Sequence, residues 1–215
     1  MIRSRQLCQI LAGFLVLCVA PAAWAGAPTD QLKAHIDQVI KILEDPALKV
    51  DGKVKERRSV VRKVANNIFD FAETARRSLA RHWPGRTDRE REEFVQLFSD
   101  LLERSYIAKI ELYGGEKIQY AGERLDGDVA TVSTRIVTKQ GQEVPVDYRM
   151  LRRGDRWMVY DISIEGVSLI SNYRTQFNKI IQTSSYAELV KKMKTKQEEF
   201  LFEEDTKAKG SAKKQ

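Results

Sequence analysis

The sequence predicts an α+β fold in which a four-stranded antiparallel meander is flanked by N- and C-terminal helices. Three observations predict it. Apolar residues recur every three or four positions from Leu32 to Tyr113, the period drops to two between Lys117 and Ile164, and the helical period returns after Gly166. Short glycine-bearing turns divide the middle region and leave no room for crossover helices, so neighbouring strands must run antiparallel.

The chain has 215 residues and begins with Arg3 and Arg5, an apolar run from Ile10 to Ala20, and the small-residue triplet Ala23-Trp24-Ala25. That layout is a cleavable secretory signal spanning residues 1–25, with cleavage expected after Ala25. The run is about half of the ~20 residues needed to span a bilayer. Cys8 and Cys18 both fall inside the leader, so the mature chain is expected to carry neither a disulfide nor a thiolate site. Leu17 is too large for the position before a lipidated cysteine, which argues against Cys18 as an anchor. The leader contains two arginines and no acid, so its removal takes the net charge from +7 to +5. Four of those charges are Lys207, Lys209, Lys213 and Lys214, in a stretch too polar to bury; residues 206–215 are expected to be a disordered basic tail. The remaining body, residues 26–205, is nearly neutral and long enough for one domain, which removes the main support for nucleic-acid binding.

Each element has its own signal. Leu32, Ile36, Val39, Ile40 and Leu43 follow Pro28-Thr29-Asp30, a helix start, and Asp45-Pro46 stops the helix. Val60, Val61, Val64, Ile68 and Phe71 predict two helices between Val54 and Leu79, broken near Asn66-Asn67 and ended by His82-Trp83-Pro84-Gly85. Thr87 and Glu90 have capping-box spacing and open a long helix. Its stripe of Val95, Phe98, Leu102, Tyr106, Ile110 and Tyr113, widened by Phe94, Leu97 and Leu101, buries a broad face as far as Gly114-Gly115.

Asp126-Gly127, Gln140-Gly141 and Arg153-Gly154 mark the hairpin turns. Alternation points Val144, Val146, Tyr148 and Met150 to one face and Asp147 and Arg149 to the other, and Met158, Tyr160, Ile162 and Ile164 are expected to repeat the inward set. Leu169, Ile170, Tyr173, Phe177, Ile180 and Ile181 predict a further helix, and Ser185 with Glu188 caps another carrying Tyr186, Leu189, Val190, Met193 and Phe200. A sheet with one apolar face needs a cover, and the helices on either side in sequence supply it.

No phosphate-binding glycine loop, nucleophile elbow, paired-histidine metal motif or cysteine cluster is present, so no catalytic residue, metal or cofactor is assigned. His35 and His82 are the only histidines, and His82 beside Trp83 reads as a cap or packing residue. Asp161 with Glu165 is the best enzymatic candidate, a general base at the mouth of a ketosteroid-isomerase-like cone; the competing reading makes Asp161 a cap or ion-pair partner. Lys53, Lys55, Arg57, Arg58, Arg62 and Lys63 form a basic cluster that reads either as a solvated helix face or as a contact for phosphate or an acidic partner. Apolar periodicity alone does not distinguish a filled core from a lined cavity.

Several motifs resemble, in order, those of the MlaC family. They are Phe69-Asp70-Phe71, His82-Trp83, Glu93-Phe94 with Phe98, Leu101-Leu102-Glu103 through Tyr106, Val146-Asp147-Tyr148, Trp157-Met158-Val159-Tyr160-Asp161, Ile164-Glu165-Gly166-Val167-Ser168-Leu169, and Tyr173-Arg174 through Phe177. The resemblance covers roughly Gln31 to Met193, and the block from Trp157 to Leu169 is its most specific part.

The resemblance implies a periplasmic lipid carrier of Gram-negative bacteria that maintains outer-membrane lipid asymmetry. It implies phospholipid tails held in a deep apolar cavity between sheet and helices, and docking to an outer-membrane Mla lipoprotein complex and an inner-membrane Mla ABC transporter complex. Phe98, Leu102, Tyr106, Ile110, Val146, Tyr148, Tyr160, Val167 and Tyr173 are the expected lipid-binding residues, with Phe98 and Leu102 deepest. The expected cargo is phospholipid, with a hopanoid or other polycyclic lipid as the alternative, and the carrier is expected to be monomeric and to bind no nucleic acid. Two acyl chains hold about thirty methylenes at ~0.8 kcal/mol each, so unaided escape into water costs on the order of 20 kcal/mol. Such a carrier removes most of that barrier.

Overall fold

The computed structural model describes residues 27–197, so the expected leader, with Cys8 and Cys18, and the expected tail at 206–215 lie outside the described residues. Helix α1 (Pro28–Glu44) starts with proline in its first turn and no cap from Ala27. Its cap comes from the sheet instead: the Thr29 backbone N–H and hydroxyl both donate to the Glu123 carboxylate, at 2.8 and 2.5 Å, an anion placed where the helix dipole favours one. Pro46 opens the short α2 (Pro46–Lys49), capped by Asp45. Helix α3 (Val54–Ile68) follows a 3₁₀ turn and runs through Asn66-Asn67, where a break was expected. The break falls at Phe69-Asp70 because the chain there turns extended and pairs with Val159, whose carbonyl accepts from Asp70 N–H at 2.9 Å. The Asp70 side chain then caps α4 (Phe71–Leu79) by accepting from Glu73 N–H.

Helix α5 (Asp88–Ile110) opens on the expected capping box, with both reciprocal bonds between Thr87 and Glu90 formed, and ends short of the glycines. Strands β1 (Lys117–Asp126), β2 (Val129–Val137), β3 (Glu143–Arg153), β4 (Arg156–Ile164) and β5 (Val167–Ser168) form one antiparallel sheet in chain order. The meander thus gains a fifth, two-residue strand beyond the four expected. Gly127, Gly141 and Gly154 hold the three hairpin turns at φ of 58°, 81° and 66°, where a Cβ would be strained. Helix α6 (Leu169–Thr183) and a last helix, α7, through 186–197 complete the fold, the Ser185 hydroxyl accepting from Glu188 N–H. Among the described residues no helix is long and apolar enough to cross a membrane.

Three packed clusters hold these layers. Leu32 of α1 and Ile68 of α3 close over Ala130, Val132, Met150, Trp157 and Val159 of the sheet. Ile42 and Leu43 of α1 meet Val61 and Val64 of α3 and Ile107 of α5. The third cluster is all helical: Ala75, Leu79, Phe94, Leu97, Phe98, Phe177, Leu189, Val190 and Met193. The close backbone neighbours of α5 are α4 and α3, whereas the sheet is approached by α1, α3, α4 and α6.

Candidate functional site

Strand register decides which side chains share the inner face. Val146 lies opposite Thr134 on one side and Ile164 on the other, and Ile164 lies opposite Val167. Tyr148 sits between Val132 and Ile162, while Val144 faces Ile136, which faces Ile118. Opposed residues of antiparallel strands point the same way, so these side chains form one surface. Towards the Arg153-Gly154 turn that surface is sealed by the α1 cluster, and Met150 and Val159 are 0% exposed. Towards the other end, Ile118, Ile136, Val144, Ile162 and Ile164 keep accessible surface, and Val167 is 60% exposed. Val146 is closed over yet joins none of the three packed clusters. Tyr148 and Ile162 pack against the sealed cluster, and burial pushes the Tyr148 hydroxyl up to about 12.

A second apolar surface comes from α5 and α6. Leu102 and Tyr173 are half-buried on the margin of the helical cluster. Tyr106 is pushed up to about 12, by burial first and by the neighbouring Tyr173 hydroxyl second, and the Lys109 ammonium lies 5.2 Å from its ring centroid. Tyr173 meets Phe98 edge-on at 5.0 Å, and Phe98 meets Phe177 in the same way at 5.1 Å. Phe98 is 1% exposed and sits inside that aromatic cluster, so it supports Tyr173 from behind. Ile110 is 39% exposed at the end of α5, followed by Leu112 at 80%.

The expected site residues therefore fall into two groups, Val146, Tyr148 and Val167 on the sheet, and Phe98, Leu102, Tyr106 and Tyr173 on the helices. The corner between β5 and α6 joins them, and Asp161 holds it: one carboxylate oxygen accepts from the Ser168 hydroxyl at 2.7 Å and the other from Ile170 N–H at 3.1 Å. Arg149 stands 3.7 Å away. Asp161 thus serves the capping and ion-pair role weighed against general base catalysis, and Glu165 occupies an exposed turn at φ 51°.

Tyr160 departs from its expected position. A bulge pairs Met150 with Val159 and Arg149 with Asp161, leaving Tyr160 without a ladder partner, so the alternation through Met158, Tyr160 and Ile162 is broken. Its ring lies 4.1 Å from the Arg77 guanidinium on α4, and it belongs to none of the three clusters. Thr134, Ile118, Ile136, Ile162 and Ile164 share the sheet face of Val146 and were not among the expected site residues. The alternation of Ala130, Val132, Thr134 and Ile136 carried the signal, but only the register ties it to Val146.

A profile of the MlaC protein family matches residues 33–195, which span every wall named above. The chain belongs to the MlaC family. A curated relative from Haemophilus influenzae, an intermembrane phospholipid transport system binding protein MlaC, is 23% identical over 189 residues, covering 86% of this chain and 87% of that protein. A phospholipid-binding protein from Ralstonia solanacearum, solved in complex with a phospholipid, superposes with a TM-score of 0.72 at 24% identity, covering 82% of this chain and 99% of that one. The MlaC fold is thus shared from α1 to α7.

In this MlaC-family chain the basic cluster is split: Lys53, Lys55, Arg62 and Lys63 are exposed, and Arg57 and Arg58 are part-buried against the end of α5. Arg57 and Arg58 both grip Glu111, at 3.0 and 2.9 Å, and Arg62 pairs with Glu103, which ties α3 to α5. Desolvation holds Glu103 above the ordinary carboxylate range, against the pull of Arg62. His82 meets the Asn178 side chain of α6 at 3.0 Å, a packing contact. Among the described residues no group of three or more His, Cys, Asp or Glu side chains is placed to hold a metal ion.

Proposed function

We propose that this chain is a periplasmic carrier that holds phospholipid acyl chains between its sheet and helices and shuttles them between an outer-membrane Mla lipoprotein complex and an inner-membrane Mla ABC transporter complex. The observation that carries the reading is the half of the inner face nearer the Gln140-Gly141 turn, where Ile118, Ile136, Val144 and Ile164 keep accessible surface outside the packed clusters while the other half is close-packed. A close-packed core leaves few voids larger than a water, so half a sheet face of accessible aliphatics is suited to an apolar occupant. The relatives named as phospholipid binding proteins support phospholipid as that occupant.

Tails enter between Val146, Tyr148 and Val167 on one side and Leu102, Tyr106, Ile110 and Tyr173 on the other, with Phe98 as the base. Val167 and Ile110, exposed at the edge, are the entry rim. The neutral tyrosines among these residues supply no formal charge, so the tails rather than the head group dominate binding. Loading the purified chain from vesicles containing a fluorescent-tailed phospholipid, followed by gel filtration, tests this. Lipid should co-elute with the monomer, and lipid left wholly with the vesicles would contradict the proposal.

A further inference from the structure

Around α4 the chain displays six arginines and neutralises only part of their charge. Glu73, 7% exposed, accepts from Arg76 at 2.8 and 2.6 Å and from Arg77 at 2.6 Å, while Arg153 reaches Asp70 at 2.9 Å and Glu73 at 3.6 Å. Arg76 and Arg153 nevertheless remain about half exposed, at 52% and 50%. The other three are tethered to neutral oxygens: Arg81 to the Asn178 side chain, Arg156 to the Asn67 carbonyl and Arg174 to the Arg77 carbonyl at 3.0 Å. Among the described residues none of these three has a carboxylate partner, and all three are exposed.

The shared partners make this one continuous strip. Arg156 is anchored at the end of α3, Arg153 at the start of α4, Arg76 and Arg77 stand on its last turn and reach back to Glu73, and Arg174 is held against Arg77. Arg81 lies one turn beyond Arg77, and its anchor Asn178 lies one turn beyond Arg174. The Tyr160 ring under Arg77 fixes that guanidinium from below. The strip's field reaches α1, where His35 is held below its ordinary value by burial and then by Arg156.

We infer that this arginine strip is a docking surface for a carboxylate-rich segment of a partner protein. Each tether uses part of a five-donor fork and leaves the rest aimed outward, so little side-chain freedom remains to be lost on binding. Planar forks match carboxylates two bonds at a time, and arginine is the basic residue enriched at protein interfaces. A surface for anionic bilayers has no need of fixed forks, since flexible lysines serve it equally. The surface lies on α4 and the turn after it, α6 and the β3–β4 hairpin, and uses none of the side chains assigned to hold the tails.

A twelve-residue polyglutamate peptide is the probe, with anisotropy measured on the full chain at low and physiological salt. Arg81→Gln with Arg174→Gln should weaken peptide binding about tenfold, equivalent to ~1.4 kcal/mol for the two exposed pairs together. Lys207→Gln with Lys209→Gln, which removes the same charge elsewhere, should leave it unchanged. Arg81→Lys with Arg174→Lys, which keeps the charge and loses the fork, should fall between the two and decides the matter if the glutamine variant melts early. Equal losses from both glutamine pairs would mean non-specific charge attraction and overturn the inference. So would no binding by the unaltered chain, or an effect seen only with vesicles of phosphatidylglycerol.

Discussion

Replacing Val146 with glutamate separates a lined space from a filled core. Val146 is 4% exposed and flanked across the ladder by Thr134, at 2%, and Ile164. Neither offers a cation, and the Thr134 hydroxyl already donates to the Val146 carbonyl at 3.1 Å. In a close-packed site an unpaired carboxylate costs roughly 3–5 kcal/mol, which at about 2–4 °C per kcal/mol lowers Tm by ~10 °C or more. In the proposed space, Ile136, Val144 and Ile164 beside it keep accessible surface, so the side chain can reach water or take up a proton. The cost then falls to about 1–2 kcal/mol, a Tm shift of a few degrees, while bound lipid falls by an order of magnitude because its lining is wetted. Calorimetry and lipid extraction on one preparation give both numbers. A variant that unfolds, or that folds and keeps its lipid, refutes the placement of the site.

Glu111→Ala removes the carboxylate that Arg57 and Arg58 share, their side chains being only 14% and 28% exposed, and should cost about 2 kcal/mol in urea unfolding. Tyr120→Phe should be neutral or stabilise by about 1 kcal/mol in the same assay, because the buried Tyr120 hydroxyl has no hydrogen-bond partner among the described residues. A destabilisation beyond 1 kcal/mol would show that the hydroxyl is satisfied in solution. Glu73 is held below its ordinary value of 4.5, first by the hydrogen bond from Arg76 and then by Arg77, against desolvation. A lowered folded-state value means its contribution is complete above the unfolded value and vanishes as pH falls through the folded one. Glu73→Gln should therefore cost about 2 kcal/mol at neutral pH and converge with the parent chain in acid, and a gap that persists in acid would contradict that origin.

Local signals made most of the elements legible. The Thr87-Glu90 capping box, the three glycine turns and the helical stripes each specify a backbone state through nearby residues alone. The errors arose where distant residues decide the outcome. Asn66-Asn67 stays helical because the break is fixed by strand pairing at Phe69 with Val159, and Tyr160 leaves the inner face because a bulge absorbs one residue of β4. Glu123 capping α1 and Glu111 gathering Arg57 and Arg58 connect residues more than fifty positions apart, which periodicity does not encode. Of the site, the apolar stripes were legible, but the distinction between Phe98 inside a packed cluster and Ile136 and Val144 accessible outside any cluster depends on tertiary packing.

The central claim is that the space between sheet and helices holds phospholipid tails. Native mass spectrometry of the chain, purified from its host cells without detergent, tests it most directly. The account predicts a protein peak heavier by the mass of a phospholipid, with the adduct released on denaturation and largely missing from Val146→Glu. A folded chain at its bare polypeptide mass, with no extractable lipid, would contradict it.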